Sequence, residues 1–273
     1  AATLALVNRR RQVEQTEQAM SNLRAAGFHR LNLDIIFGLP GQTIQDWLAD
    51  LDHVIALAPD SLTTYDCLYR GKGRALTRIA PATASPAEYG AMYDAAYARL
   101  TQAGWHAPYG SVNFSRQPEE TGTSACFEGR LLDGLPYLGL GNYASSLRGN
   151  HWSFNAYSVG DYVQRINADQ NPCEYYYDLP QVEAQAKYLL YSLNYGFINE
   201  ERFLRRFGIS LAAAYPQELD HALSAGLIHK IGSRWQVMPG RFDRMHVIRS
   251  LFYPAAAKDW LMSLRSIDRI QST

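Results

Sequence analysis

The chain has 273 residues, 47% of them hydrophobic and 19% charged, the balance of a soluble globular protein long enough for one large domain or two moderate ones. Lys plus Arg and Asp plus Glu each number 26, which removes the whole-chain electrostatic case for nucleic acid or an anionic membrane and leaves only local patches. No apolar run approaches the roughly 20 residues that span a bilayer, and the opening AATLALVNRRRQ has too short an apolar stretch, with its charges on the wrong side, for a secretory signal. Cys67, Cys126 and Cys173 are odd in number and far apart, which argues against a disulfide framework and for a reducing cytoplasm. The 18 tyrosines and 5 tryptophans fit either a Tyr-rich core and surface or a cavity for a flat or apolar ligand.

Residues 8–26 carry a mixed amphipathic pattern (Val13, Glu17, Met20, Leu23) that predicts a helix stopped by Gly27. The apolar run from Leu31 to Phe37 is too short for a helix and predicts a buried parallel strand. Thr43 is placed to cap a helix to about Leu57, with Asp46 in its first turn. Ser61–Leu68 is rich in Thr and Tyr and reads as the next strand. A basic, then Pro/Ala-rich loop follows, and Ser85-Pro86-Ala87-Glu88 opens a helix to about Ala103, closed by Gly104. Helix, strand, helix, strand, helix predicts an α/β fold with a parallel sheet and crossover helices. Two or three parallel strands need neighbours, so the expectation is the back half of a larger α/β domain.

From about Tyr157 the character changes. Helices are expected over residues 181–196, 199–207 and 211–225, then a hairpin over 227–231 and 235–238. This order resembles a winged-helix module, whose third helix would grip nucleic acid. That helix, LAAAYPQELDHALSA, has no Arg or Lys and two acids, so a structural accessory domain is the favoured reading.

Several segments have chemical potential. Asp34 stands inside an apolar strand and needs a partner, either a structural one or a ligand at a strand's carboxyl end. GLPGQT places a helix start beside a flexible turn but has no Walker lysine. Arg70, Lys72 and Arg74, between glycines just after a strand, suit an anionic substrate or a solvated loop. Leu138-Gly139-Leu140-Gly141 follows an expected strand at residues 136–138 and is either a ligand approach or a tight turn. The histidines show no metal-ligand spacing, and no Ser–His–Asp set stands out.

Taken together, VNRRRQ, AGFHRLNLDIIFGLPGQT, a strand ending in a Tyr-rich turn, VNFSR and YLGLGNYASS come in the order and spacing of a known group. Over its whole length the chain resembles the oxygen-independent coproporphyrinogen III oxidase-like family, a branch of the radical S-adenosylmethionine enzymes. The resemblance implies that residues 1–156 are the C-terminal part of a parallel (β/α) partial barrel. Residues 157–273 would be the family's mainly helical, winged-helix-like accessory domain. It matches Arg9 and Asp34 to residues that bind S-adenosylmethionine, and Leu68 and Ser145 to positions lining that pocket. Phe127-Glu128-Gly129 resembles the family's Phe-Gln-Gly at a second S-adenosylmethionine site, but Glu128 cannot donate as Gln does.

The family's chemistry implies two cofactors. A four-iron, four-sulfur cluster on three closely spaced cysteines leaves one iron open for S-adenosylmethionine, and its cleavage yields a 5′-deoxyadenosyl radical. No such cysteine loop occurs here, so no metal ligand is assigned, and the expectation is a C-terminal piece of a longer enzyme, inactive alone, with the cluster ligands upstream. The implied partners are an electron donor such as flavodoxin and a small-molecule substrate, tetrapyrrole or aromatic. The basic loop favours a tetrapyrrole with several carboxylates, with Arg70, Lys72, Arg74 and Glu128 as candidate substrate contacts. The alternatives are a methyltransferase or cyclopropanase using two S-adenosylmethionine molecules, and a heme-binding chaperone without turnover.

Overall fold

The computed structural model describes residues 13–66 and 84–263. Arg9, Cys67, Leu68, Arg70, Lys72 and Arg74 lie outside the described residues. The chain forms two compact units, one drawn from Ala1–Thr123, Leu193–Phe197 and Ala222–Ile248, the other from Ser124–Ser192, Ile198–His221 and Arg249–Thr273.

In the first unit, α1 (Val13–Ala25) ends at Gly27, whose φ of 86° a residue with a Cβ adopts at a cost. β1 (Asn32–Phe37) and β2 (Ser61–Asp66) pair in parallel, with Asp34 opposite Thr63, and α2 (Ile44–Leu57) connects them. Thr43 caps α2 reciprocally: its hydroxyl accepts from the Asp46 N–H, and the Asp46 carboxylate accepts from the Thr43 N–H at 3.1 Å. Ser85 and Glu88 repeat the device at the start of α3 (Pro86–Gln102). Each box satisfies two otherwise orphaned N–H groups. Thr43→Ala should lower stability by about 1 kcal/mol, read as the urea midpoint with an unchanged slope.

The expectation of a parallel sheet holds only for β1 and β2. β3 (Asn113–Ser115) joins β2 antiparallel and completes the order β1-β2-β3. The reason is local, since His106 and Ser115 pair with each other, so the chain turns back instead of crossing over. β1 also departs from the expected buried strand: Asn32, Asp34 and Ile36 are exposed, while Phe37 is buried. Behind the sheet, Trp47, Leu51 and Val54 of α2 pack with Met92, Tyr93, Ala96 and Leu100 of α3, all buried. Phe37 lies against the rings of Trp47 and Tyr89, at 5.5 and 4.9 Å.

The second unit opens with α4 (Ala125–Glu128), which runs into a π-helical turn, Gly129–Asp133. Three strands the sequence reading did not anticipate follow: β4 (Ser145–Arg148), β5 (His151–Asn155) and β6 (Cys173–Asp178), an antiparallel sheet in that order. Between β5 and β6 lies α5 (Val159–Asn167). The expected strand at residues 136–138 is a single bridge, Tyr137 to Leu147. Tyr137 exchanges both backbone bonds with Leu147, and beyond it side chains take over, the Ser146 hydroxyl accepting from the Gly139 N–H and the Asn155 amide donating to the Gly139 and Gly141 carbonyls.

α6 (Gln181–Ser192) forms but stops four residues short of the expected end at 196, while α7 (Glu200–Phe207) agrees with expectation and is capped by Asn199. The expected single helix over 211–225 is broken into α8 (Leu211–Ala214) and α9 (Pro216–Ser224). Pro216 lacks an N–H and forces Tyr215 out of the helical region, to φ −136° and ψ 54°. The hairpin β7 (Ile228–Ile231) and β8 (Arg234–Val237) forms as expected and belongs to the first unit, where the Val237 N–H donates to Gly196.

Candidate functional site

Register places Asn32, Asp34 and Ile36 of β1, Ser61, Thr63 and Tyr65 of β2, and Asn113 and Ser115 of β3 on one face of the first unit's sheet. This face is polar, opposite the face whose Phe37, Leu62 and Phe114 are fully buried. Asn32 organises it. Its amide donates to Asp34 Oδ1 at 2.7 Å and approaches Thr63 Oγ1 at 3.4 Å, and its carbonyl oxygen accepts from the Ser61 hydroxyl at 2.9 Å. Asp34 is therefore oriented through one oxygen, while Oδ2 has no hydrogen-bond partner among the described residues. Burial, and after it the Asp34 carboxylate, push the Tyr65 hydroxyl up, which keeps it a neutral donor.

The carboxyl end of β1 leads through Gly38 into the α2 cap. Gly38 has φ 72°, and a Cβ there would stand 2.6 Å from the Tyr89 ring, so only glycine fits the turn. The sequence singled out Asp34 but missed Asn32, Thr63 and Tyr65. Alternation along β1 points to Asn32; the cross-strand neighbours require the register.

Ser145 and Glu128 lie in the second unit. The Ser145 hydroxyl is 3.2 Å from the Tyr137 hydroxyl. The YLGLG segment meets its own chain: a Cβ on Gly139 would stand 2.3 Å from the Ser145 carbonyl oxygen. Leu138 and Leu140 project outward, 77% and 82% exposed. A shallow cleft of about 360 Å³ lies between Leu138 and the β4–β5 hairpin, where His151 meets Asp178 at 2.7 Å. Glu128 accepts from Arg202 at 2.8 Å, and Arg202 also grips both oxygens of Asp133. Among the described residues no group of three His, Cys, Asp or Glu side chains could hold a metal ion. Cys126 and Cys173 are free thiols. No helix of the described residues is long and apolar enough to cross a membrane.

The described architecture has a counterpart among solved structures. It matches coproporphyrinogen III oxidase (HemN) from Escherichia coli, a radical SAM enzyme, with a TM-score of 0.67 at 20% identity, covering 92% of this chain and 61% of that one. The class is therefore the mixed α/β fold of HemN. In sequence, the chain is 27% identical over 175 residues to oxygen-independent coproporphyrinogen III oxidase from Pseudomonas aeruginosa, across 60% of this chain. It is 24% identical over 210 residues to heme chaperone HemW from Bacillus subtilis, across 76% of it. The matches span 38% and 54% of those curated relatives' own lengths. No protein-family model matches the sequence. The chain is thus a relative of the HemN-like coproporphyrinogen oxidases and HemW, as the motifs from VNRRRQ to YLGLG implied.

Proposed function

We propose that the chain is part of a radical S-adenosylmethionine enzyme of the oxygen-independent coproporphyrinogen III oxidase-like branch, acting on an anionic, tetrapyrrole-like substrate. The observation that carries this reading is Asp34. An exposed carboxylate, oriented by Asn32 and with one oxygen unengaged, is not needed to hold the strand. It suits the ribose hydroxyls or ammonium group of S-adenosylmethionine, as charge-assisted bonds favour. Thr63 and Tyr65 would flank the cofactor on the same face, and Arg9 and Leu68 are further contacts in this reading. Arg70, Lys72 and Arg74 are proposed to meet the substrate's carboxylates.

The fold is read as the last part of a parallel (β/α) barrel over residues 1–156 and a winged-helix-like accessory domain over 157–273. This is a division by element type, not by compactness. The iron–sulfur cluster does not fit the residues present, since the three cysteines are scattered and the described side chains offer no metal site. Its ligands, in this reading, belong to sequence outside this chain, which is inactive alone. The setting is cytoplasmic, with a flavodoxin-like electron donor.

The test is S-adenosylmethionine binding and its cleavage to 5′-deoxyadenosine by the full-length protein. Asp34→Asn should weaken binding about 10- to 100-fold, the scale of one charge-assisted hydrogen bond, with the melting temperature unchanged. Unaltered affinity would remove Asp34 from the cofactor site. A second reading, a heme-binding chaperone, is favoured by the HemW match across 76% of the chain. It predicts one heme bound and no loss of carbon dioxide from a tetrapyrrole. The methyl-transfer alternative leans on Glu128, and that carboxylate is engaged by Arg202.

A further inference from the structure

Two cations of the second unit stand without counterions among the described residues. The Lys187 ammonium on α6 lies 4.0 Å above the Trp152 ring. The Arg130 guanidinium, in the Gly129–Asp133 turn, lies 4.4 Å above the Tyr137 ring and 5.4 Å from Phe127. Both residues are half-buried, and Arg130 Nε is enclosed with no hydrogen-bond partner. The acids that could serve them are committed elsewhere. Glu183, one turn before Lys187, accepts from the Tyr177 hydroxyl at 2.8 Å. Asp133 and Glu128 are gripped by Arg202. Arg206 of α7 adds a third positive charge, and it donates to the Leu131 and Leu132 carbonyls.

Half-buried like charges raise the energy of the folded state. Attraction to the ring faces offsets part of this but leaves the N–H donors unused. Burial, and then Arg206 and Arg130, push Lys187 down to about 8. Burial, and after it Tyr137, push the hydroxyl of Tyr191, one turn beyond Lys187 on α6, up, while Arg130 opposes them. Trp152 Nε1, a further donor, is also enclosed and unpartnered. An oxyanion would answer all of these groups together, and the rings give it an aromatic setting.

We infer that Arg130 and Lys187, walled by Tyr137, Trp152 and Tyr191, form a binding site for an oxyanion, a carboxylate or phosphate group carried on an apolar or aromatic body. The inference does not depend on the radical chemistry proposed above. Lys187 faces Arg130 from the turn, Arg206 from α7 and Trp152 from β5, with Glu183 and Tyr191 on its own helix. Ligand binding should therefore draw a proton onto Lys187, and affinity should fall as pH rises from about 7 to 9.

The test uses the whole chain titrated with pyrophosphate, citrate and benzene-1,3,5-tricarboxylate, read by calorimetry, tryptophan emission and melting temperature. At least one probe is expected to bind, the aromatic tricarboxylate most tightly if the body is aromatic; preference for pyrophosphate would assign a phosphate instead. Arg130→Met and Lys187→Met should each weaken binding at least tenfold, and Lys187→Met should remove the pH dependence. Without probe, both variants should melt at or above the wild-type temperature, because each relieves an uncompensated charge. Trp152→Phe should abolish the emission change and also weaken binding, because the indole Nε1 donor is lost with it. The proposal is overturned if no probe binds at millimolar concentration, if the variants bind equally well, or if they unfold more readily than wild type when unliganded.

Discussion

Trp47→Ala is expected to lower the stability of the protein by about 3–5 kcal/mol, the range for emptying the space of a buried aromatic ring. The indole is fully buried, touches Phe37 at the end of β1, and donates from Nε1 to the Met92 carbonyl of α3 at 3.1 Å. Truncation thus opens a cavity between α2, α3 and the sheet, and it removes the indole's bond to the Met92 carbonyl, a further loss of about 0.5–1.5 kcal/mol. Total stabilities of 5–15 kcal/mol leave little room for such a loss. Trp47→Phe, which keeps most of the volume but not the donor, should fall between the two proteins. A denaturation midpoint for Trp47→Ala within about 1 kcal/mol of wild type would mean that the helices collapse onto the gap at little cost.

The second large effect is expected at Arg202. Its guanidinium joins the 125–133 segment to α7 by three charge-assisted bonds, two to Asp133 and one to Glu128. The Arg202 and Glu128 side chains are 21% and 24% exposed, Asp133 45%. Arg202→Met should cost about 2–3 kcal/mol, between the value of an exposed pair and that of a buried one left half-broken. The effect has a pH signature. Hydrogen bonding from Arg202 holds the Asp133 carboxyl below the usual aspartate value. A group with a depressed folded-state value stabilises above its unfolded value and loses that contribution as pH falls through the folded one. The difference between wild type and Arg202→Met should therefore be full at pH 6 and shrink below about pH 4. An energy difference unchanged between pH 6 and pH 3, measured by urea denaturation, would assign Arg202 a packing role instead.

The elements that the sequence announced are those whose signals are local. Thr43 with Asp46 and Ser85 with Glu88 start helices through bonds within four residues, and Gly27 and Gly104 end theirs through positive φ. The sheet of the second unit was illegible for the opposite reason. β4 is short and mostly polar, β5 (HWSFN) alternates over only two apolar positions, and β6 is the tyrosine-rich CEYYYD, exposed along nearly all its length, so no sustained apolar alternation marks the sheet. The Gly149-Asn150 turn between β4 and β5 was the available signal. At the candidate site, Asp34 stood out because it interrupts an apolar run. Its exposure did not, since an apolar run cannot say which of its faces is covered. The Arg130–Lys187 pair joins residues 57 apart in sequence, which only the fold brings together (187 − 130).

β1, the strand that carries Asp34, is also the outermost of its sheet. Among the described residues its outer row of N–H and C=O groups has no strand partner, so the carboxylate stands beside an open hydrogen-bonding margin. Such a margin is a template: an extended segment laid along it would lengthen the polar face by one more row of side chains without disturbing the helices behind. Left bare, it offers the same template to a second copy of the chain. With a net charge of zero there is no long-range repulsion to keep copies apart. Association in concentrated solution would then be seeded at the same strand that holds the candidate ligand contact.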